Sequence, residues 1–409
     1  MTDSTNTLSH ETTPARGTTV EVFGAFLKLG LTSFGGPIAH LGYFRSEFVE
    51  RRRWLDDRSY SDLVALCQFL PGPASSQVGM ALGLGRAGWS GLLAAWAGFT
   101  LPSAIALILF AFGIAEYQGL AQSGWVHGLK VVAVAIVAQA VWGMAKSLCP
   151  DRPRAALAIL AALLAMILPS ALGQVAAIAV AGLLGWWQLK IAQPGGGQAH
   201  SYPVSRKLGI VALLLFAAPL VGLPLWAAVT GSSTIALLEG VYRSGALVFG
   251  GGHVVLPLLQ AAVVPSGIVS NADFLAGYGA AQAVPGPLFT FSAYLGAVAY
   301  GPLHGWIGGL ALLATIFLPA FFMLIGALPF WEGLRHRAGI QTAMAGINAG
   351  VVGILVSALY DPVWTSAIHS KSDFGLALLS FGLLTVGRVP PALVVLLAGL
   401  SGWVMAIGI

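Results

Sequence analysis

Two stretches decide the fold: Phe26 to Pro37, reading FLKLGLTSFGGP, and Val241 to His253, reading VYRSGALVFGGGH. Each is an apolar run interrupted by a glycine cluster. A second pair follows at matched spacing, with Gln68 to Pro73 reading QFLPGP and Gln282 to Pro287 reading QAVPGP. Leu101-Pro102 recurs as Leu318-Pro319, and Gly128-Leu-Lys-Val recurs loosely as Gly346-Ile-Asn-Ala. The offset stays between 214 and 218 residues across all four landmarks. Four matches in order at a nearly constant offset read as an internal duplication.

The solvent of these repeats follows from composition. Hydrophobic residues make up 57% of the chain and charged residues 9%, against about 25% charged in a soluble domain. Mean hydropathy is +0.84. Too few charges remain to cover a soluble protein of 409 residues. The chain therefore reads as an all-α polytopic membrane protein, which excludes disorder, a coiled coil, a disulfide scaffold and a nucleic-acid module. The isoelectric point near 9.3 fits basic cytoplasmic loops rather than nucleic acid as a partner.

Two cysteines, Cys67 and Cys149, supply neither a disulfide framework nor a zinc cluster. No Walker A loop, haem signature or Ser-His-Asp set is evident, so no cofactor, metal or enzymatic activity is expected. The polar segment Met1 to Val20 lacks the apolar core of a signal peptide. The expected organisation is a cytoplasmic tail (1–19), an N-terminal transmembrane repeat (20–190), a linker and connecting helix (191–234) and a C-terminal transmembrane repeat (235–409). The pieces flanking FGG and PGP are each too short to span about 30 Å of hydrocarbon, and are expected to form re-entrant hairpins with tips at mid-membrane, the alternative being that each broken segment crosses as one kinked helix, about thirteen crossings in all. Arg45, Arg51, Arg52, Arg53 and Arg58 then lie inside, the second half is inverted, and the C-terminus is periplasmic.

Broken helices in inverted repeats mark the binding sites of secondary transporters. Glycine lets a ligand approach the backbone, proline interrupts the helix, and a helix starting after the break aims N–H groups and its positive dipole end at the tip. The tips are Phe34, Gly35 and Gly36 with Pro71, Gly72 and Pro73, matched by Gly250, Gly251 and Gly252 with Pro285, Gly286 and Pro287. Lys28 and Arg243, each six residues before the Phe of FGG, are intramembrane cations and candidates to attract an anion, although both could instead snorkel to the headgroups. Ser75, Ser76 and Gln77 follow the first PGP as candidate donors or caps, whereas the second copy has Phe289, Thr290 and Phe291. Gln68 and Gln282 precede both PGP motifs, and His253 follows the second glycine cluster. Buried carboxylates are nearly absent, which disfavours a cation as substrate.

The segment FLKLGLTSFGGPIAHLGYFRSEFVERRRWLDD (Phe26 to Asp57), QFLPGPASSQ (Gln68 to Gln77) and the degenerate copies FGGGHVVLPLL and QAVPGP resemble the chromate transporter family in its long, two-half form. The resemblance covers about Val20 to Ile409. It implies export of chromate across the bacterial inner membrane, driven by membrane potential or proton-motive force, and chromate resistance. It also implies functional roles for Lys28, Phe34, Gly35, Gly36, Pro37, Arg45, Gln68, Pro71, Gly72 and Pro73. In the second half the same holds for Phe249, Gly250, Gly251, His253, Pro285, Gly286 and Pro287. Family membership alone leaves open import of sulfate or another oxyanion, an anion channel, and a homodimer.

Overall fold

The computed structural model describes residues 17–34, 36–116, 124–168, 171–190, 202–249, 252–331 and 337–406. Gly35, Gly250, Gly251, Arg335, the Pro169 turn, the Gly-rich link 194–198 and most of the N-terminal tail lie outside the described residues. Among the described residues all regular structure is helical.

The first half contains α1 (Thr19–Thr32), α2 (Gly36–Phe44), α3 (Asp57–Phe69), α4 (Ala74–Glu116), α5 (Gly124–Leu148), α6 (Arg152–Ile167) and α7 (Ala171–Gln188). A connecting helix, α8 (Arg206–Thr230), leads to α9 (Ser233–Ala246), α10 (Val255–Val263), α11 (Asn271–Ala283), α12 (Phe291–Val298) and α13 (Gly305–Ala327). The chain ends with α14 (Ala338–Ala358), α15 (Lys371–Thr385) and α16 (Pro391–Ala406). The duplication is visible element by element. Where the second half separates α12 from α13 by a loop, α4 bends at Ala87 and Gly88, whose dihedrals leave the helical region. Side-chain capping recurs at the helix starts: Thr18, Asp56, Asp151, Ser205, Ser232, Ser270 and Ser370 each accept a backbone N–H there.

Among the described residues, five stretches are long and apolar enough to cross a membrane: Ala74–Gly113, Gly124–Leu148, Arg206–Thr230, Gly305–Phe330 and Ala338–Ala367. By contrast, α1 has 14 residues and α10 has 9. At 1.5 Å per residue even α1 reaches only about 21 Å, short of the hydrocarbon thickness. The helices flanking FGG and PGP are therefore half-length, α4 being so only up to its bend at Ala87 and Gly88.

Glycines set how the elements lie together. In the first half α1 packs on α4, where Gly30 faces the Gly98 and Phe99 carbonyls; in the second, α9 packs on α13, where Gly245 faces the Ile316 carbonyl. The terminal hairpins do the opposite and cross between halves. The first half's α6 and α7 pack on α14 of the second half, while the second half's α15 and α16 pack on α5 of the first. Gly128 lies against Ala398 and Gly399, and its repeat equivalent Gly346 lies against Ala181 and Gly185. Small residues four apart permit this close approach, the usual way of holding helices where lipid removes the hydrophobic drive. The duplication was legible in the sequence; this reciprocal exchange was not.

Candidate functional site

The breaks meet. The Gly72 N–H donates to the Val248 carbonyl at 2.7 Å, and the Gly286 N–H donates to the Ser33 carbonyl at 3.0 Å. Gly72 and Gly286 are repeat equivalents, and so are Ser33 and Val248. Each PGP tip is thus hydrogen-bonded to the FGG break of the other half, as a pseudo-twofold axis requires. The two tip glycines have φ of 118° and 104°, a region that side chains with a Cβ avoid. A Cβ on Gly72 would lie 2.9 Å from Ala320 Cβ, and one on Gly286 would lie 2.8 Å from Ser103 Oγ. Ser103 and Ala320 follow Pro102 and Pro319, the third repeat landmark, so this packing is reciprocal as well.

The FGG breaks also approach each other. A Cβ on Gly252 would lie 3.2 Å from Pro37 Cγ, and one on Gly36 would lie 4.0 Å from His253 Nε2. His253 Nδ1 is 2.8 Å from the Tyr278 hydroxyl. From sequence, the tip amides are expected as donors for a ligand. In the structure the Gly72 and Gly286 amides are engaged with carbonyls across the junction.

Around the first tip the polar side chains are buried. Gln77 donates from Nε2 to the Pro71 carbonyl at 2.8 Å, and its own backbone N–H reaches the Pro73 carbonyl at 3.0 Å. Ser75 Oγ lies 3.4 Å from His40 Nδ1, and His40 Nε2 lies 3.2 Å from the Ser33 carbonyl. A carbonyl only accepts, so Nε2 carries the proton of that hydrogen bond. The Ser33, Ser76 and Thr100 hydroxyls and the Gln77 Oε1 atom are buried without a hydrogen-bond partner among the described residues. At the second tip Thr290 Oγ1 donates to the Pro287 carbonyl at 2.8 Å.

Other sequence candidates sit elsewhere. Lys28 is exposed, on the face of α1 that also carries exposed Phe23 and Leu31. Arg243 pairs with Glu239 at 3.1 Å within α9, so its charge is compensated one turn away. Gln68 is exposed; Gln282 is half-buried, its Nε2 without a partner among the described residues. Phe34 and Pro285 are half-buried beside the breaks. Arg45 belongs to a surface network, with Asp57 at 2.6 Å and Glu50 at 2.5 Å. Glu21, in the first turn of α1, pairs with Arg86 at 3.2 Å and Arg52 at 3.8 Å.

Sequence reasoning missed His40, Thr100 and Ser103. Their only signal was a polar residue in an apolar run at a place where the other copy has Val255, Phe317 and Ala320. It also missed the His127–Asp373 pair, 2.6 Å apart, which ties α5 to α15 across the halves.

The family model described as chromate transporter matches residues 20–186 and 235–403, one match for each half of the fold. The chain belongs to the chromate transporter family. It is 28% identical to a chromate transport protein of Pseudomonas aeruginosa over 94% of this chain and 92% of that one. It is 25% identical to a probable chromate transport protein of Synechococcus elongatus, over 92% and 93%. An uncharacterized transporter of Methanocaldococcus jannaschii is 26% identical over 83% of each chain. No solved structure matches. Membership of the chromate transporter family, with several apolar helices of spanning length, makes this a multi-pass membrane protein with a role in chromate transport.

Proposed function

We propose that the chain is a secondary transporter that exports chromate across the bacterial inner membrane and so confers chromate resistance. The observation that carries this reading is the junction itself. In a chain of this family, four half-length helix breaks from two homologous halves meet at one reciprocal pair of hydrogen bonds. Such a junction is the part of an inverted-repeat transporter that can expose its centre to either side in turn. Opening it on one side would free the Gly72 and Gly286 amides, beside the buried hydroxyls of the first tip, for an oxyanion.

Orientation follows from charge. Arg45, Arg51, Arg52 and Arg86 gather with Glu21, Glu47, Glu50 and Asp57 at one end of the first half, which we place in the cytoplasm with the N-terminus. With the interior negative, outward movement of a dianion is favoured by about 4 to 5 kcal/mol per 100 mV, twice the single-charge value, so export can run on potential alone.

Cells expressing the chain should survive chromate better than vector controls, and inverted membrane vesicles energised with a respiratory substrate should accumulate labelled chromate. Sensitisation of cells, with accumulation in right-side-out vesicles instead, would reverse the direction. Sulfate competition in the same assay measures whether the site separates these two tetrahedral dianions.

A further inference from the structure

The duplication supplies two equivalent places for a ligand, and the side chains at them differ. In the first half they are Ser33, His40, Ser75, Ser76, Gln77, Thr100 and Ser103. The matched residues of the second half are Val248, Val255, Phe289, Thr290, Phe291, Phe317 and Ala320. Seven polar side chains thus correspond to six apolar ones and a single threonine, whose hydroxyl is engaged with the Pro287 carbonyl. Phe289, Phe291 and Phe317 are buried, and Phe289 and Phe317 are in ring contact, so aromatic bulk stands where the first half has Ser75, Gln77 and Thr100, while the second tip keeps the polar groups His253, bonded to Tyr278, and Gln282.

The polar residues of the first half form a connected group. Ser75 meets His40, His40 meets the Ser33 carbonyl, and that carbonyl also receives the Gly286 N–H. Gly286 in turn packs against Ser103, whose hydroxyl donates to the Thr100 carbonyl at 3.1 Å. Ser76 lies in the same first helical turn as Ser75, at the N-terminal end of α4. His40 and Ser103 are engaged within the group. The hydroxyls of Ser33, Ser76 and Thr100 have no partner among the described residues, although these residues are 0%, 3% and 0% exposed. Leaving a buried hydroxyl unpaired is costly, and these three lie on the segments of the first half that meet at its side of the junction. The group contains no carboxylate to repel an anion and no Lys or Arg, and its one unpaired pure acceptor is the neutral Gln77 Oε1 atom, so its ligand is one that neutral donors and a helix N-terminus suffice to hold.

We propose that the chain binds one tetrahedral oxyanion, on the first half's side of the junction, with the Ser33, Ser76 and Thr100 hydroxyls as donors and His40 and Ser103 as positioning residues, while the second half's equivalent place is an aromatic plug. This rests on the transport reading above and adds to it the location, the donors and a stoichiometry of one per chain.

The test uses purified full-length protein titrated with sodium sulfate and, separately, sodium chromate, read by calorimetry, with chromate flux in proteoliposomes measured in parallel. One anion should bind per chain. Ser76→Ala and Thr100→Val should each weaken binding about tenfold or more, the scale of losing a hydrogen bond to a charged partner. Thr100→Ser, which keeps the hydroxyl, should restore affinity even where the valine variant folds poorly. Thr290→Val, the mirror substitution in the second half, should leave affinity within about twofold of the unaltered protein. Two anions per chain, equal weakening by Thr290→Val, or unchanged binding in Ser76→Ala and Thr100→Val would each overturn the assignment while chromate flux leaves the transport reading intact. Absence of both flux and binding in the unaltered protein would remove the transport reading and this site together.

Discussion

At Gly72 and Gly286 one residue does two things: the positive φ lets the chain turn at the tip, and the N–H so aimed ties one half to the other. Alanine at either position meets a left-handed penalty of about 1–2 kcal/mol and a neighbour closer than 3 Å. Both Gly72→Ala and Gly286→Ala should therefore lower the melting temperature and abolish chromate flux. Gly24→Ala, inside α1 where nothing lies within 4 Å, should leave flux unchanged and the melting temperature no lower, since alanine is the better helix former. Lys28→Ala belongs with the harmless control: Lys28 is exposed on the outer face of α1, so flux in this variant should stay near that of the unaltered protein. On sequence alone Lys28 is a candidate because it sits inside an apolar run and recurs as Arg243, and Gly72 because it sits in a PGP break that recurs in register. Hydropathy reports depth, whereas which way a residue faces on a helix that is apolar on nearly every side depends on neighbours the sequence does not name.

At the scale of elements, the stretch Arg45–Arg51 widens into a π-helical turn after α2 and carries the charge network at one end of the first half. A stretch this rich in both charges is expected to form solvated ion pairs, which holds for Arg45 with Glu50 and Asp57, all about half exposed. It does not hold for Glu47, which is 7% exposed and accepts from Arg51 Nε at 2.7 Å and Arg52 Nε at 2.6 Å. Exposed pairs add little stability, whereas breaking a buried one leaves an uncompensated charge. Burial pushes the Glu47 carboxyl up, but the hydrogen bonds from Arg51 and Arg52 outweigh it, and its pKa lies below the ordinary 4.5. A carboxylate held below its unfolded value adds stability above that value and loses it as pH falls through the folded one. Thermal melts should thus show Glu47→Gln less stable than the unaltered protein at neutral pH, with the gap closing below about pH 4.5 as the unaltered carboxyl takes up its proton. A gap independent of pH down to the acid limit would mean that Glu47 acts by shape rather than charge.

Across the whole molecule, the halves named by the repeat are not the units that pack. Each half builds its own α1–α4 or α9–α13 body, but lays its terminal hairpin on the other half: α6 and α7 on α14, α15 and α16 on α5. The repeat was legible because landmarks such as FGG and PGP are rare, each occurring once per half. The exchange was not, because its contacts use glycine and alanine, and with 53 glycines in the chain small residues four apart occur on many helix faces. The exchange makes a strong prediction about the chain cut in the connecting region. Fragments 1–190 and 202–409 expressed together should co-purify and carry chromate, since Gly128 against Ala398 and Gly346 against Ala181, the His127–Asp373 pair and the two tip hydrogen bonds all lie between them. Either fragment expressed alone should be degraded, because the α5 or α14 surface that its partner's hairpin covers would face lipid unpacked, and its own hairpin would have no seat. Gly128→Leu or Gly346→Leu should break co-purification of the cut chain, each placing a side chain where the partner helix's backbone lies. A fragment that accumulates alone as a stable, folded protein would show that the hairpins pack within their own half.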